Sequence, residues 1–329
     1  MEEKVGESLK GLGQSKALVL AVAVMGILGF GLAGAFVLGT AVSGKVGSSL
    51  GSERGAHLGA EKISPQMASL LHGFVTPSAG LHALVAPKTG AIATTSTNWG
   101  GYADTATQGT ILEAYADWFV PAISCATHTP SLSDQWVGID GLGTGTVEQG
   151  GTYSYCVSPT SGPYYWTWFE FYPYESIQSV GVISAGDLIQ AYVLYQPYIS
   201  ENGKAGIYTI VVEDIGNNAS SFMVQGNPSQ CNSAGCQSGP DGSAECISES
   251  LVSEGLYLAD YHTATFQSCD VEINGYFSGI GGLPAAAHAT VYKITTNGYT
   301  SGLKQQVPSA LSTYDYKLDH FTLTWKRYD

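Results

Sequence analysis

The stretch Ser243–Leu251, SAECISESL, carries residue types from which acid–base chemistry is made. Read with the two-residue period of a strand, Glu245, Ile247 and Glu249 share one face, and Cys246, Ser248 and Ser250 share the other. Two carboxylates flanking an isoleucine on one strand face are an unusual choice for a packed sheet. On a concave, partly dry face, desolvation and mutual repulsion push at least one pKa upward. A carboxyl group so tuned can take and return a proton in acid. On a solvated face the same residues would be two ordinary acids, so the rest of the chain has to decide.

Four further stretches bear on that choice. Asn98-Trp99-Gly100-Gly101-Tyr102 is followed by Trp136-Val137-Gly138-Ile139-Asp140-Gly141, and Gln149 comes thirteen residues after Trp136 in Val-Glu-Gln-Gly-Gly. Then come Tyr165-Trp166-Thr167-Trp168-Phe169-Glu170-Phe171-Tyr172-Pro173 and Gly186-Asp187-Leu188-Ile189-Gln190. Singly, each has an ordinary explanation. Tryptophan and tyrosine fill sandwich cores, Asp140-Gly141 suits a turn, and Gln149 reads as a surface amide.

The elements that must position these residues are short strands. From residue 95 onward, runs of alternating or β-rich residues are broken by Gly, Pro, Asn and Ser. Examples are Thr110–Val120, Gln135–Ile139, Tyr164–Phe171, Leu188–Tyr195, Ile207–Glu213, Tyr257–Phe266, Ala289–Ile294 and His320–Trp325. No stretch after residue 42 shows a helical period. The pattern predicts an all-β sandwich or barrel over residues 96–329, with no internal repeat or second domain boundary.

Composition agrees. Of 329 residues only 12% are charged, with 42 Gly and 20 Tyr, a mixture suited to turn-rich β structure. The net charge of −14 argues against nucleic acid as a partner, because phosphate binding needs basic patches. Residues 17–42 carry no charge over 26 positions, long enough to span a bilayer. Lys4, Lys10 and Lys16 precede them. A signal-anchor helix with residues 1–16 in the cytoplasm is the expectation, and a cleaved signal the alternative. Residues 43–95, rich in Gly, Ser, Ala and Thr, read as a linker or a pro-segment. The domain beyond would then lie outside the cytoplasm, membrane-anchored or secreted after processing. Six cysteines, at 125, 156, 231, 236, 246 and 269, make disulfides plausible there, with 15 pairings open and a local Cys231–Cys236 bridge the first choice. No CxxC or histidine ligand pattern occurs, so neither a metal nor another cofactor is expected.

Together and in this order the motifs resemble the glutamic peptidases, the eqolisins, over about residues 96–329. The resemblance implies a sandwich of two curved antiparallel sheets, concanavalin- or jelly-roll-like, with a polypeptide substrate across the concave face, and a monomer is expected. It puts a catalytic glutamine on Gln149 and a catalytic glutamate on Glu245, with Trp136, Asp140, Glu170, Glu249 and Trp99 around the cleft. Cys246 departs from the family pattern, which has an aromatic there, and the apolar span is not a usual family feature.

The chemistry is coherent on its own terms. Amide hydrolysis needs a water, a group to take its proton and a donor for the oxyanion. Glu245 can serve as general base and then general acid, while Gln149 holds the water and donates N–H to the oxyanion. A serine triad lacks a GxSxG elbow. A glycosidase using a carboxylate pair such as Glu245 and Glu170 is the enzyme alternative. A lectin-like module presenting its aromatic residues to sugars is the alternative without catalysis.

Overall fold

The computed structural model describes residues 90–329 apart from 174, 201–202, 217–219, 227–240 and 315–316. In chain order the strands are β1 (Ile92–Ser96), β2 (Trp99–Thr105), β3 (Ile111–Phe119), β4 (Ser131–Ile139), β5 (Val147–Cys156) and β6 (Tyr164–Tyr172). They continue as β7 (Glu175–Val182), β8 (Leu188–Ser200), β9 (Gly203–Asp214), β10 (Phe222–Gly226), β11 (Ser243–Glu249) and β12 (Tyr257–Leu258). The last are β13 (Thr263–Ile273), β14 (Tyr276–Gly279), β15 (Thr290–Asn297), β16 (Lys304–Pro308), β17 (Ser312–Tyr314) and β18 (Lys317–Trp325). Short 3-10 turns lie at Val252–Glu254 and Ala285–Ala287.

The strands form two layers. One runs β7–β6–β5–β4–β11–β2–β15–β1, antiparallel except for the β15–β1 pair. The other runs β10–β9–β8–β3–β13–β18. Strand β16 pairs with both β15 and β18, joining the layers along one side. Between them lies an apolar core. Val137, Ile139, Ala244 and Cys246 point into it from the first layer, and Ala116, Trp118, Ile189, Ile210, Phe266 and Val271 from the second. The disulfide Cys246–Cys269 joins β11 to β13 across this core, so Cys246 faces away from Glu245. Cys125–Cys156 ties the loop before β4 to the end of β5.

The opposite face of the first layer has its own buried cluster, including Trp99, Trp136, Trp168, Tyr153 and Ile247. Strands β4, β5 and β11 are therefore buried at every position. Such strands lose the alternation of a half-exposed sheet.

The expected single strand Tyr257–Phe266 is two. β12 pairs parallel with β4, then the chain turns through His262, whose φ is 55°, and β13 starts at Thr263 in the second layer. The first strand, β1, occupies Ile92–Ser96, so the sheet begins inside the stretch read as linker or pro-segment. No helix among the described residues is long and apolar enough to cross a membrane. The span expected over residues 17–42, the segment from 43 to 89 and the Cys231–Cys236 pair lie outside the described residues.

Candidate active site

Strand β4 lies between β11 and β5, and its Gly138 stands opposite Glu245 on one side and Gln149 on the other. Gln149 in turn stands opposite Glu170 on β6. Directly opposed residues of neighbouring strands project from the same face. The register therefore sets Glu245, Gly138, Gln149 and Glu170 in one row, with the Gln149 and Glu245 backbones roughly 10 Å apart across two strand spacings. The next row holds Ile247, Trp136, Gly151 and Trp168, and the one beyond holds Glu249, Asp134, Tyr153 and Trp166.

Glycine is required at two of these positions by close approach. A β-carbon on Gly138 would lie 2.9 Å from Trp136 Cζ3 and 3.4 Å from Gln149 Cβ. Its absence lets the edge of the Trp136 ring lie over Gly138, between the amide and the carboxyl. At Gly151 a β-carbon would lie 2.6 Å from Trp136 Cβ, so the second glycine seats the indole. Trp136 then spans two rows. Its Nε1–H donates to Glu249 Oε2 at 3.0 Å, while its other edge reaches Gly138. Trp99 meets it edge-on, with ring centroids 5.0 Å apart.

The polar groups along the first row are unequally partnered. Gln149 Nε2 donates to Glu170 Oε2 at 3.0 Å, which fixes the amide with its nitrogen toward β6. Gln149 Oε1, Glu170 Oε1 and both Glu245 oxygens are buried and make no hydrogen bond of good geometry within the protein. Both Gln149 and Glu245 have 0% exposure. A buried acceptor without a donor costs about 1–3 kcal/mol, and four of them stand side by side along this row, while both oxygens of Glu148 and of Asp104 are left in the same state elsewhere in the fold.

No ion pair links a lysine or arginine to these acids among the described residues. Burial consequently dominates their titration. Glu245 is pushed well above the ordinary carboxylate range by desolvation, with Asp140 and Asp104 adding repulsion and Ser243 and the Leu142 amide pulling the other way. Desolvation raises Glu170 to about 8, helped by Glu249 and opposed by the Gln149 amide. Glu249 also rises to about 8 through desolvation, against hydrogen bonds that include those from Asn98 and Trp136.

Asp140 sits in the turn after β4 with φ at 71°. Its carboxylate accepts from the backbone amides of Asp241 at 3.1 Å and Gly242 at 2.9 Å, so it anchors the entry to β11. Desolvation lifts it to about 6 despite those bonds. Of the residues singled out in the sequence, Gln149, Glu245, Glu170, Trp136, Glu249 and Trp99 thus share one face, and Asp140 stands at its edge.

A model of the Peptidase A4 family matches residues 97–311. The chain belongs to that family. It is a glutamic-type peptidase, a hydrolase acting on polypeptides. Scytalido-glutamic peptidase bound to a transition-state analog inhibitor has the same fold, with 20% identity and a TM-score of 0.50 over 70% of this chain and 98% of that one. SCP-B, an eqolisin in complex with the tripeptide Ala-Ile-His, matches at 20% identity, TM-score 0.47, over the same shares. None of the curated protein sequences compared matches the chain.

Several acids of this peptidase domain escape a reading of its motifs. Asp134 lies two residues before Trp136, on the same face by the period of two, and accepts from Trp168 Nε1 at 3.0 Å. Glu148, next to Gln149, points to the opposite side of β5, and desolvation first, then repulsion from Asp140, Asp241 and Glu245, pushes its pKa well above the ordinary carboxylate range. Tyr208 donates to nearby Asp241. Among the described residues no group of three or more His, Cys, Asp or Glu side chains is placed to hold a metal ion.

Proposed function

We propose that this glutamic peptidase is an acid-active endopeptidase in which Glu245 and Gln149 act on one water and one peptide bond. The observation that carries this reading is the β11–β4–β5 register, which sets the two side chains on either side of Gly138 on the same face. In its ionised form Glu245 takes a proton from the attacking water and then returns it to the leaving amine. Gln149 accepts from that water through Oε1. Of the two N–H bonds of its amide, one is held by Glu170 and the second stabilises the oxyanion. A neutral amide continues to donate where carboxylates are protonated, which suits acid.

Burial sets two conditions on this chemistry. The face above the row has to open to admit substrate, since neither residue is exposed. Glu245 must also lose a proton that desolvation helps it keep. The acid limb of the rate profile therefore lies above that of an ordinary carboxylate, and hydration on opening brings it down.

Cleavage of denatured protein, followed from about pH 3 to 7 in the presence of pepsin-type inhibitors, tests the reading. Gln149→Ala should cost about 10²–10³ in rate, and Glu245→Ala should abolish cleavage, both with an unchanged circular dichroism spectrum. Glycan binding without proteolysis would instead indicate a lectin-like module, and glycoside hydrolysis a glycosidase. We further propose that the domain works as a monomer outside the cytoplasm, tethered through residues 17–42 or released after processing. Fractionation of cells expressing the full chain tests that placement.

A further inference from the structure

Behind the dyad lies a second pair of facing carboxyls. Asp134 on β4 and Glu249 on β11 stand directly opposite in the antiparallel ladder, a position that brings Cβ atoms to about 5 Å. Both are buried, at 3% and 0% exposure. Each also holds an indole that walls the row in front. Trp168 Nε1 donates to Asp134 Oδ1 at 3.0 Å, and Trp136 Nε1 to Glu249 Oε2 at 3.0 Å. Glu249 Oε1 takes a further hydrogen bond from Asn98 Nδ2 at 2.9 Å.

The groups facing the pair are either acidic or uncharged. From β6 come Glu170 and Trp168, from β5 Tyr153, and from the turn after β11 Glu254. Asn98, Trp99 and Trp136 complete the surroundings of Glu249. Two like charges in direct opposition, with no cation between them, destabilise each other strongly when buried. At least one of the two carboxyls therefore keeps its proton while the site is intact. If both ionise, they must separate or draw in water, and either response moves the indoles they hold. Trp136 transmits that displacement, because its far edge lies against Gly138, between Glu245 and Gln149.

We propose that Asp134 is a positioning residue of this peptidase, which by facing Glu249 and anchoring Trp168 sets the upper pH limit at which the Gln149–Glu245 site stays assembled. This inference rests on the peptidase reading for its kinetic consequence, whereas its structural part stands independently of that reading. Direction of titration agrees, since desolvation and then Glu249 and Glu170 raise Asp134 well above the ordinary range.

The test compares the wild-type chain with Asp134→Asn and Asp134→Ala. Asparagine retains an acceptor oxygen for Trp168 and removes the ionisable group. The quantity read is the alkaline limb of kcat/KM, whatever rate remains on its plateau. Asp134→Asn should move that limb upward by about one pH unit. Asp134→Ala should move it too and lower kcat at every pH, because the Trp168 anchor is gone. Tryptophan fluorescence titrated over the same range supplies a readout besides activity, with its transition moving upward in Asp134→Asn. A limb and a fluorescence transition that both coincide with wild type in a folded Asp134→Asn protein overturn the proposal. If the wild type cleaves nothing, the peptidase reading fails, and the fluorescence shift alone decides whether Asp134 positions the indoles.

Discussion

At the scale of single residues, the site depends as much on a missing side chain as on those present. Gln149 and Glu245 come from strands that are not neighbours, and the absence of a β-carbon at Gly138 lets the Trp136 edge lie between them on the face they share. Gly138→Val should displace that edge. The added atoms would press on the Trp136 ring 2.9 Å away, costing about 1–3 kcal/mol by overpacking and removing activity. Urea unfolding and the proteolysis assay read the two effects separately. If the variant cleaves at the wild-type rate, the seating of Trp136 between amide and carboxyl is not something the reaction depends on. Glu170 offers a milder change. Glu170→Gln still accepts from Gln149 through its amide oxygen but loses a buried acid raised to about 8, so it should cost less in rate than Glu170→Ala, which frees the Gln149 amide to rotate.

At the scale of elements, β11 carries Glu245, the carboxyl proposed to act on the water, on one face and a covalent tie on the other. The Cys246–Cys269 bridge links it to the second layer, and Asp140 holds its entry through two backbone amides. Replacing both Cys246 and Cys269 by Ala should lower stability by about 2–4 kcal/mol, measured by denaturant unfolding. An equal midpoint for the variant and the oxidised wild type would show that packing alone holds β11.

The same strand explains what a sequence reveals. The alternation Glu245-Ile247-Glu249 is legible because charge contrasts with an apolar neighbour on the same face. Strand β5, VEQGGTYSYC, is not, since all ten positions are buried and its small and polar residues leave no alternating signal. The break between β12 and β13 is hidden because Tyr257–Phe266 has strand-forming residues at both ends, and His262 takes a positive φ that nothing in its identity demands. Cysteine pairing is fixed by which strands face across the core, a tertiary fact that spacing does not encode. Asp134 could have been found from its place two residues before Trp136. Glu148 could not, because an acid beside Gln149 reads as solvent-facing until the second layer is known to cover it.

At the scale of the whole molecule, 22 acids against six bases from residue 96 onward are only partly spread over the surface. Buried Asp140, Asp241, Glu170 and Glu249 have pKa values raised to about 6, 7, 8 and 8, in each case by desolvation first. The folded state therefore binds more protons than the unfolded chain between the ordinary carboxylate range and about pH 8. Stability falls with rising pH wherever the folded state holds the extra protons. The contribution of these groups is fully present below about pH 4 and is lost as pH climbs through about 6 to 8. Thermal unfolding at a series of pH values should give a Tm that decreases from mild acid to neutrality, and a Tm that rises over that interval would mean these acids are ionised in the fold. A domain most stable in acid matches the proposed acid-active chemistry in its working range.

The most direct test of the central claim is a double-mutant cycle on kcat/KM with Gln149→Ala, Glu245→Gln and the two combined. Residues acting on one water and one carbonyl lose their effect together, so the double variant should be no slower than the slower single variant, within about threefold. Losses that multiply, or either single variant cleaving at the wild-type rate, would contradict a joint role for the amide and the carboxyl.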